Sequence, residues 1–112
     1  MIQHKSLFDG RWAKMTLMEQ MANIGSEIDR VRSWKRKGDS AQSDRAFDRA
    51  IELLDMSKMS AQGAALKELC RLKENVCYHY LNYDETEWNR LCKYFDFFAI
   101  AWRMKSHRPN DV

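Results

Sequence analysis

Proline occurs once in this chain, at Pro109, and glycine only four times in 112 residues. So few breakers exclude a fold of many short strands and tight turns and leave long helices as the expected element. No apolar run approaches the length of a membrane span. The first ten residues contain no apolar stretch of the kind a secretory signal needs. Cys70, Cys77 and Cys92 make an odd count. Without a signal they are expected to be reduced thiols in a cytoplasmic protein, not a disulfide framework. There is no C-x-x-C, no H-x-x-x-H and no Glu-x-x-His pair of the kind that holds di-iron in helical bundles.

What is present suits one helical domain over residues 1–112. The charged residues, 31% of the chain, are interleaved with apolar ones, which excludes a disordered chain. Four Trp, four Tyr, five Phe and seven Met can fill a core without covalent staples. The net charge of +3, from 19 basic and 16 acidic residues, permits contact with nucleic acid without requiring it.

Residues 1–15 read as a leader in which Phe8 and Trp12 can tuck against the body, with a turn at Asp9-Gly10. Thr16-Leu17-Met18-Glu19 fits a capping box. Leu17, Met21, Ile24, Ile28 and Val31 then follow three and four apart, the spacing of one apolar helix face. Gly25 inside that helix predicts close approach of a neighbour, since glycine there costs about 1 kcal/mol against alanine. Lys37-Gly38 supplies the C-terminal stop. The second helix is capped from Asp39, Ser40 and Ser43, shows Phe47, Ala50, Ile51 and Leu54 on its apolar face, and fades near Met59-Ser60. After a loop through Gly63, a third helix carries Leu66, Leu69, Lys73, Val76 and Tyr80, with Cys70, Cys77 and Leu81 widening the stripe. Asn82-Tyr83-Asp84 is a turn, and Asp84 to Glu87 a second capping box. A fourth helix carries Trp88, Leu91, Phe95, Phe98 and Trp102. Residues 105–112 read as a polar tail. Four amphipathic helices with short connections predict an all-α, antiparallel up-down four-helix bundle.

Chemistry is harder to find. Cys70 and Cys77 stand seven residues apart on one helix, roughly 10 Å along its axis. They cannot share a zinc ion whose ligands lie about 2.3 Å away. Cys77 and His79, two residues apart, point about 200° from each other, so neither activates the other. His4 and His107 fall in the leader and tail. Arg71 to His79 leaves seven residues between, and Arg103 to His107 leaves three; neither matches the Arg-to-His spacing of HEPN ribonuclease bundles. Glu27 with Arg30, and Arg49 with Glu52, read as surface pairs. Asp44, Asp48 and Glu52 read as a solvated ladder. No catalytic, metal-binding or cofactor-binding residue is therefore expected.

The functional lead is basic. Arg30, Arg32, Lys35, Arg36 and Lys37 fall within eight residues, with Trp34 among them, and Arg45 and Arg49 follow on the next helix. Phosphate contacts by these cations would be salt-sensitive and blind to sequence, and Trp34 offers a stacking surface. Cations also favour a helix C-terminus without any ligand, which explains part of the same pattern. Arg103, Lys105 and Arg108 form a second basic group at the opposite pole. The stretch from Gly38 to Leu53 is like half of a tetratricopeptide repeat, but no second copy follows.

Four segments carry a wider resemblance: Met15-Thr16-Leu17-Met18-Glu19-Gln20-Met21-Ala22-Asn23-Ile24-Gly25-Ser26-Glu27; Trp34-Lys35 with Lys37-Gly38; Ala46-Phe47-Asp48-Arg49-Ala50-Ile51-Glu52-Leu53-Leu54-Asp55; and Leu66-Lys67-Glu68-Leu69-Cys70-Arg71. Over roughly residues 11 to 102 the chain resembles an uncharacterised family of short bacterial four-helix-bundle proteins, which implies a stand-alone bundle. In architecture, size and charge it is also similar to the accessory variability proteins of diversity-generating retroelements. Those are basic bundles that form rings and bind a reverse transcriptase and RNA. The likeness implies a non-enzymatic accessory protein with a protein partner, plausibly a reverse transcriptase, and with RNA or DNA as a further partner. It carries over no individual residue. A self-associating structural or regulatory bundle is the alternative.

Overall fold

A computed structural model of the chain describes residues 10–106, apart from the side chains of residues 102, 105 and 106. Phe8, Asp9, His4, His107, Arg108 and Pro109 lie outside the described residues. Among those described the fold is all-α, with five helices: α1 (Trp12–Lys14), α2 (Leu17–Arg36), α3 (Ser40–Ser60), α4 (Gly63–Leu81) and α5 (Glu85–Ser106). No helix among the described residues is long and apolar enough to cross a membrane.

The count is five where four were expected, because the leader contributes α1. A single turn leaves no periodicity to read, and it would not survive alone in water. Tertiary bonds hold it. The buried Trp12 indole N–H donates to Ser57 Oγ at 2.9 Å, and Gln20 Nε2 donates to the Trp12 carbonyl at 2.8 Å. The helix ends further on follow local chemistry. Thr16 Oγ1 accepts from the Glu19 N–H at 3.1 Å and caps α2. At its other end Gly38 takes φ 74°, a left-handed value that suits glycine. There the Gly38 N–H bonds the Lys35 carbonyl and the Asp39 N–H bonds the Trp34 carbonyl. That pair of bonds is the Schellman stop. Asp39 then turns round to cap α3, accepting from the Gln42 N–H at 3.0 Å.

Helix α2 packs between α3 and α5, whereas α4 lies more lightly against α3 and α5. The core joins Met21, Ile24, Ile28 and Val31 of α2 to Ala46, Ala50, Leu53, Leu54 and Met56 of α3, to Leu69, Leu72 and Val76 of α4, and to Trp88, Leu91, Cys92 and Phe95 of α5. Each large side chain buried this way contributes about 1.5–3 kcal/mol before entropy is counted. Gly25 has the close neighbour its position predicts: a Cβ there would stand 2.7 Å from Phe95 Cβ. Trp88 sends its indole N–H to the Ile28 carbonyl at 2.9 Å, fixing α5 against α2.

The α4 stripe differs from the expected one. Leu72 is buried, Cys70, Cys77, Lys73 and Tyr80 are half-buried, and Leu81 is 81% exposed. A helix touching its neighbours this lightly sinks only its central ridge. Helix α5 runs on through Ser106, so the expected polar tail begins inside a helix.

Candidate partner-binding surface

The basic run occupies the last two turns of α2, and α3 leaves the same corner after Lys37-Gly38-Asp39. At about 100° per residue, cations adjacent in sequence are dealt to different sides of the helix. Arg32 and Arg36 face α5. Arg32 Nη1 donates to Asn89 Oδ1 at 2.8 Å and its Nη2 lies 3.6 Å from Asp29, while Arg36 pairs with Glu85. Arg30 lies on the α3 side and pairs with Glu27. Arg49 reaches across from α3 to the same carboxylate, Nε to Oε2 at 2.9 Å. With only 7% of its side chain exposed, Glu27 is not the surface residue its sequence context implies. It is a buried carboxylate satisfied by two guanidiniums.

Lys35 points toward the corner's aromatic cluster. Its Nζ stands 4.7 Å from the Tyr80 ring centroid and 5.0 Å from that of Tyr83. Tyr80 stacks on Phe47 at 4.1 Å, nearly parallel, and both Tyr80 and Tyr83 touch the Trp88 ring. Cation–π contacts of this kind contribute roughly 0.5–2 kcal/mol, more as they lose water. Tyr80 donates to Asp44 and exchanges a hydrogen bond with Ser43 Oγ at 3.0 Å. Burial first, and the Asp44 carboxylate next, push its hydroxyl up to about 12. Trp34 is half-buried against the core, with Lys37 Nζ 4.8 Å above its ring. Arg45 is exposed and bonds Gln42.

The eight residues singled out from sequence therefore divide. Arg32, Lys35 and Arg49 are engaged in packing helices together, and Trp34 is a half-buried platform. Arg30, Arg36, Lys37 and Arg45 turn their charge to solvent at or near the corner. Arg30 and Arg36 do so while paired with carboxylates. Of the second basic group, Arg103 is exposed on α5, the Lys105 side chain is not described, and Arg108 lies outside the described residues.

Two of the three thiols, Cys77 and Cys92, are held protonated by their surroundings. Burial pushes the Cys77 thiol up, and pushes Cys92 up to about 12. An activated thiolate needs the opposite shift. His79 lines a shallow groove of about 180 Å³ between α4 and α5, with Arg71, Asn75, Glu87, Arg90 and Tyr94. There Arg71 and Tyr94 both donate to Glu68, and Arg90 pairs with Glu87, so the groove's cations are matched by carboxylates. Among the described residues no three His, Cys, Asp or Glu side chains gather where a metal ion could sit.

Sequence reasoning missed one surface. Phe97, Ile100 and Met104 stand exposed along the second half of α5. Their three- and four-residue spacing is present in the sequence, but the inward seam of the same helix is longer and carries the stronger periodic signal.

No protein-family model matches this chain, and searches of curated proteins and of solved structures likewise returned no match.

Proposed function

We propose that the chain is a non-enzymatic accessory or adaptor protein of the cytosol, which binds a protein partner and, through the corner between α2 and α3, RNA or DNA. The observation that carries this reading is the placement of Arg30, Arg36, Lys37 and Arg45 with their charge toward solvent beside the half-buried Trp34. The residual cations suit phosphates, and the indole suits a base or a guanidinium. The bundle reading has support in its pairwise contacts. Gly25 with Phe95 and Arg36 with Glu85 fit antiparallel α2 and α5. Ser43 with Tyr80 and Asp55 with Lys73 fit antiparallel α3 and α4. The setting implied by the resemblance is a reverse transcriptase of a diversity-generating retroelement, whose accessory protein this chain would be.

The test is retention of single-stranded RNA by the purified chain across a salt series. Retention should fall steeply with salt. Reversing Arg36, Lys37 and Arg45 to Glu together should weaken it at least about tenfold. These three are chosen over Arg32 and Lys35, whose reversal would also disturb helix packing. Retention that ignores both salt and the reversals overturns the nucleic-acid part. Co-purification of a reverse transcriptase from the native host would support the partner assignment.

A second reading, a self-associating structural or regulatory bundle with no nucleic-acid role, is favoured by the exposed apolar face of α5.

A further inference from the structure

The tryptophan side chains described stand in two different states. Trp12 and Trp88 are buried, and each commits its indole N–H to the protein, at Ser57 Oγ and at the Ile28 carbonyl. Trp34 is half-buried, and its indole N–H has no hydrogen-bond partner among the described residues. Its ring packs against the core, and Lys37 covers it from outside, Nζ 4.8 Å from the centroid. Lys37 is exposed and has no carboxylate partner among the described residues. Arg45 is exposed too, and the group it bonds is the neutral Gln42. These two cations are uncommitted, whereas Arg30 and Arg36 are paired with Glu27 and Glu85.

Arg45 stands one turn before Arg49 on α3, and Arg49 reaches Glu27 of α2, so Arg45 lies on the side of α3 that faces α2. Glu27 and Trp34, seven residues apart, share one face of α2. The ring and the two uncommitted cations thus lie along the corner end of the seam between α2 and α3.

An exposed cation–π contact of the kind Lys37 makes is weak. A nucleobase is flat on both sides and stacks on an aromatic ring more strongly. Once displaced, the ammonium can swing on its four-carbon stem to the phosphate beside that base, so its charge gains a partner. A duplex keeps its base faces inside its own stack and offers edges in its grooves. An arginine of a protein partner also stacks on indole, but Lys37 and Arg45 would repel it. The charge around the ring selects a flat, unpaired group carried on an anionic backbone.

We propose that Trp34 is the stacking platform for one unpaired base of a single-stranded nucleic acid. Lys37 caps the empty platform and moves to a flanking phosphate on binding, and Arg45 takes a second phosphate. This rests on the nucleic-acid part of the proposed function and deepens it, from charge contact to a preference for single strands.

The test is titration of the full chain, at several salt concentrations, with polyuridylate and polythymidylate, each alone and paired with its complement. In at least one sugar series the single strand should bind about tenfold tighter than the duplex and quench tryptophan fluorescence; the series that does so tells RNA from DNA. Trp34→Phe keeps a ring in the same packing and should remove most of the quenching. Trp34→Leu should bring single-strand affinity down to that of the duplex and leave duplex affinity unchanged. Should the leucine variant fail to fold, quenching in Trp34→Phe decides. Lys37→Gln should reduce the salt slope for the single strand by roughly 0.7; an unchanged slope overturns the movement of Lys37. No binding of any probe overturns both this platform and the nucleic-acid reading. Equal affinity for strand and duplex, or quenching that survives Trp34→Phe, overturns the platform alone and leaves a charged corner blind to strandedness.

Discussion

Helices α2 and α4 are nearly the same length, twenty and nineteen residues, yet they are held by different physics. Seven residues of α2 are buried, Gln20, Glu27 and Gly25 among them, and it packs closely on both neighbours. Only Leu69, Leu72 and Val76 of α4 are buried. Beside the Tyr80 ring stacked on Phe47, much of the rest of its attachment is through polar side-chain tips. Lys73 Nζ reaches Asp55 at 2.8 Å, Glu68 accepts from Tyr94 at 2.7 Å, and Tyr80 reaches Ser43 and Asp44. Close packing is intolerant of small changes in volume, whereas long polar tips stretch and re-form. The difference makes α2 the frame of the molecule and α4 the helix that gives first.

The largest expected effect contrasts the two directly. Ile28→Ala in α2 empties a fully buried position and should cost about 2–5 kcal/mol in urea unfolding. Leu66→Ala in α4, at a half-buried position, should cost less than half as much. Equal losses would erase the contrast. Next comes Gly25→Ala. Helix propensity alone would stabilise it by about 1 kcal/mol. The new methyl, however, meets Phe95 Cβ, an atom close to the backbone that cannot swing away. Net destabilisation of about 1–3 kcal/mol is expected from overpacking, read as a lower urea midpoint at unchanged slope. A more stable variant would show that α5 can retreat, and that α2 is not rigidly seated. Third, amide hydrogen exchange should show protection across the middle of α2 exceeding that of α4, with α4 exchanging through an opening of lower free energy.

How legible these differences were follows from their range along the chain. The α2 stripe was plain, since Met21, Ile24, Ile28 and Val31 repeat at helical spacing and all four are buried. Thr16, Gly38 and Asp39 act within a few residues, so their capping roles could be read directly. Leu17 belongs to the same stripe but is 39% exposed, because the first residue of a helix reaches past the edge of the core. In α4 the pattern named a face without saying how deep it sinks. Depth depends on how closely the neighbouring helices approach, which no local spacing encodes. The candidate site behaved likewise. The cations could be listed from sequence, but Glu27, Glu85 and Asn89, which between them engage Arg30, Arg32, Arg36 and Arg49, take these roles through the way the helices come together. Glu27 looked like an ordinary partner for Arg30, and only the approach of Arg49 from α3 shows it as a buried junction. The α1 turn was the least legible element, since it exists through Trp12, Gln20 and Ser57, which are brought together by tertiary contact.

The smallest expected effect isolates the polar tips of α4. Tyr80 of α4, and Tyr94 of α5, which donates to Glu68 of α4, are both raised from 10.0 to about 12, by burial first and by the carboxylate each one bonds next. A phenol with a higher pKa in the folded state keeps its proton there while the unfolded chain loses it. The stability this represents is complete below pH 10 and is lost as pH rises from 10 toward 12. Lys73, raised from 10.5 chiefly by its hydrogen bond to Asp55, adds a contribution of the same sign above its ordinary value. Alkaline titration should therefore lower the melting temperature in this window, and protection in α4 should fall before protection in α2. Tyr80→Phe with Tyr94→Phe removes both phenols and should flatten the slope between pH 10 and 12, at the cost of somewhat lower stability at pH 7. An unchanged slope in the double variant would mean that the phenols do not tie α4 down, leaving Leu69, Leu72 and Val76 as its main attachment.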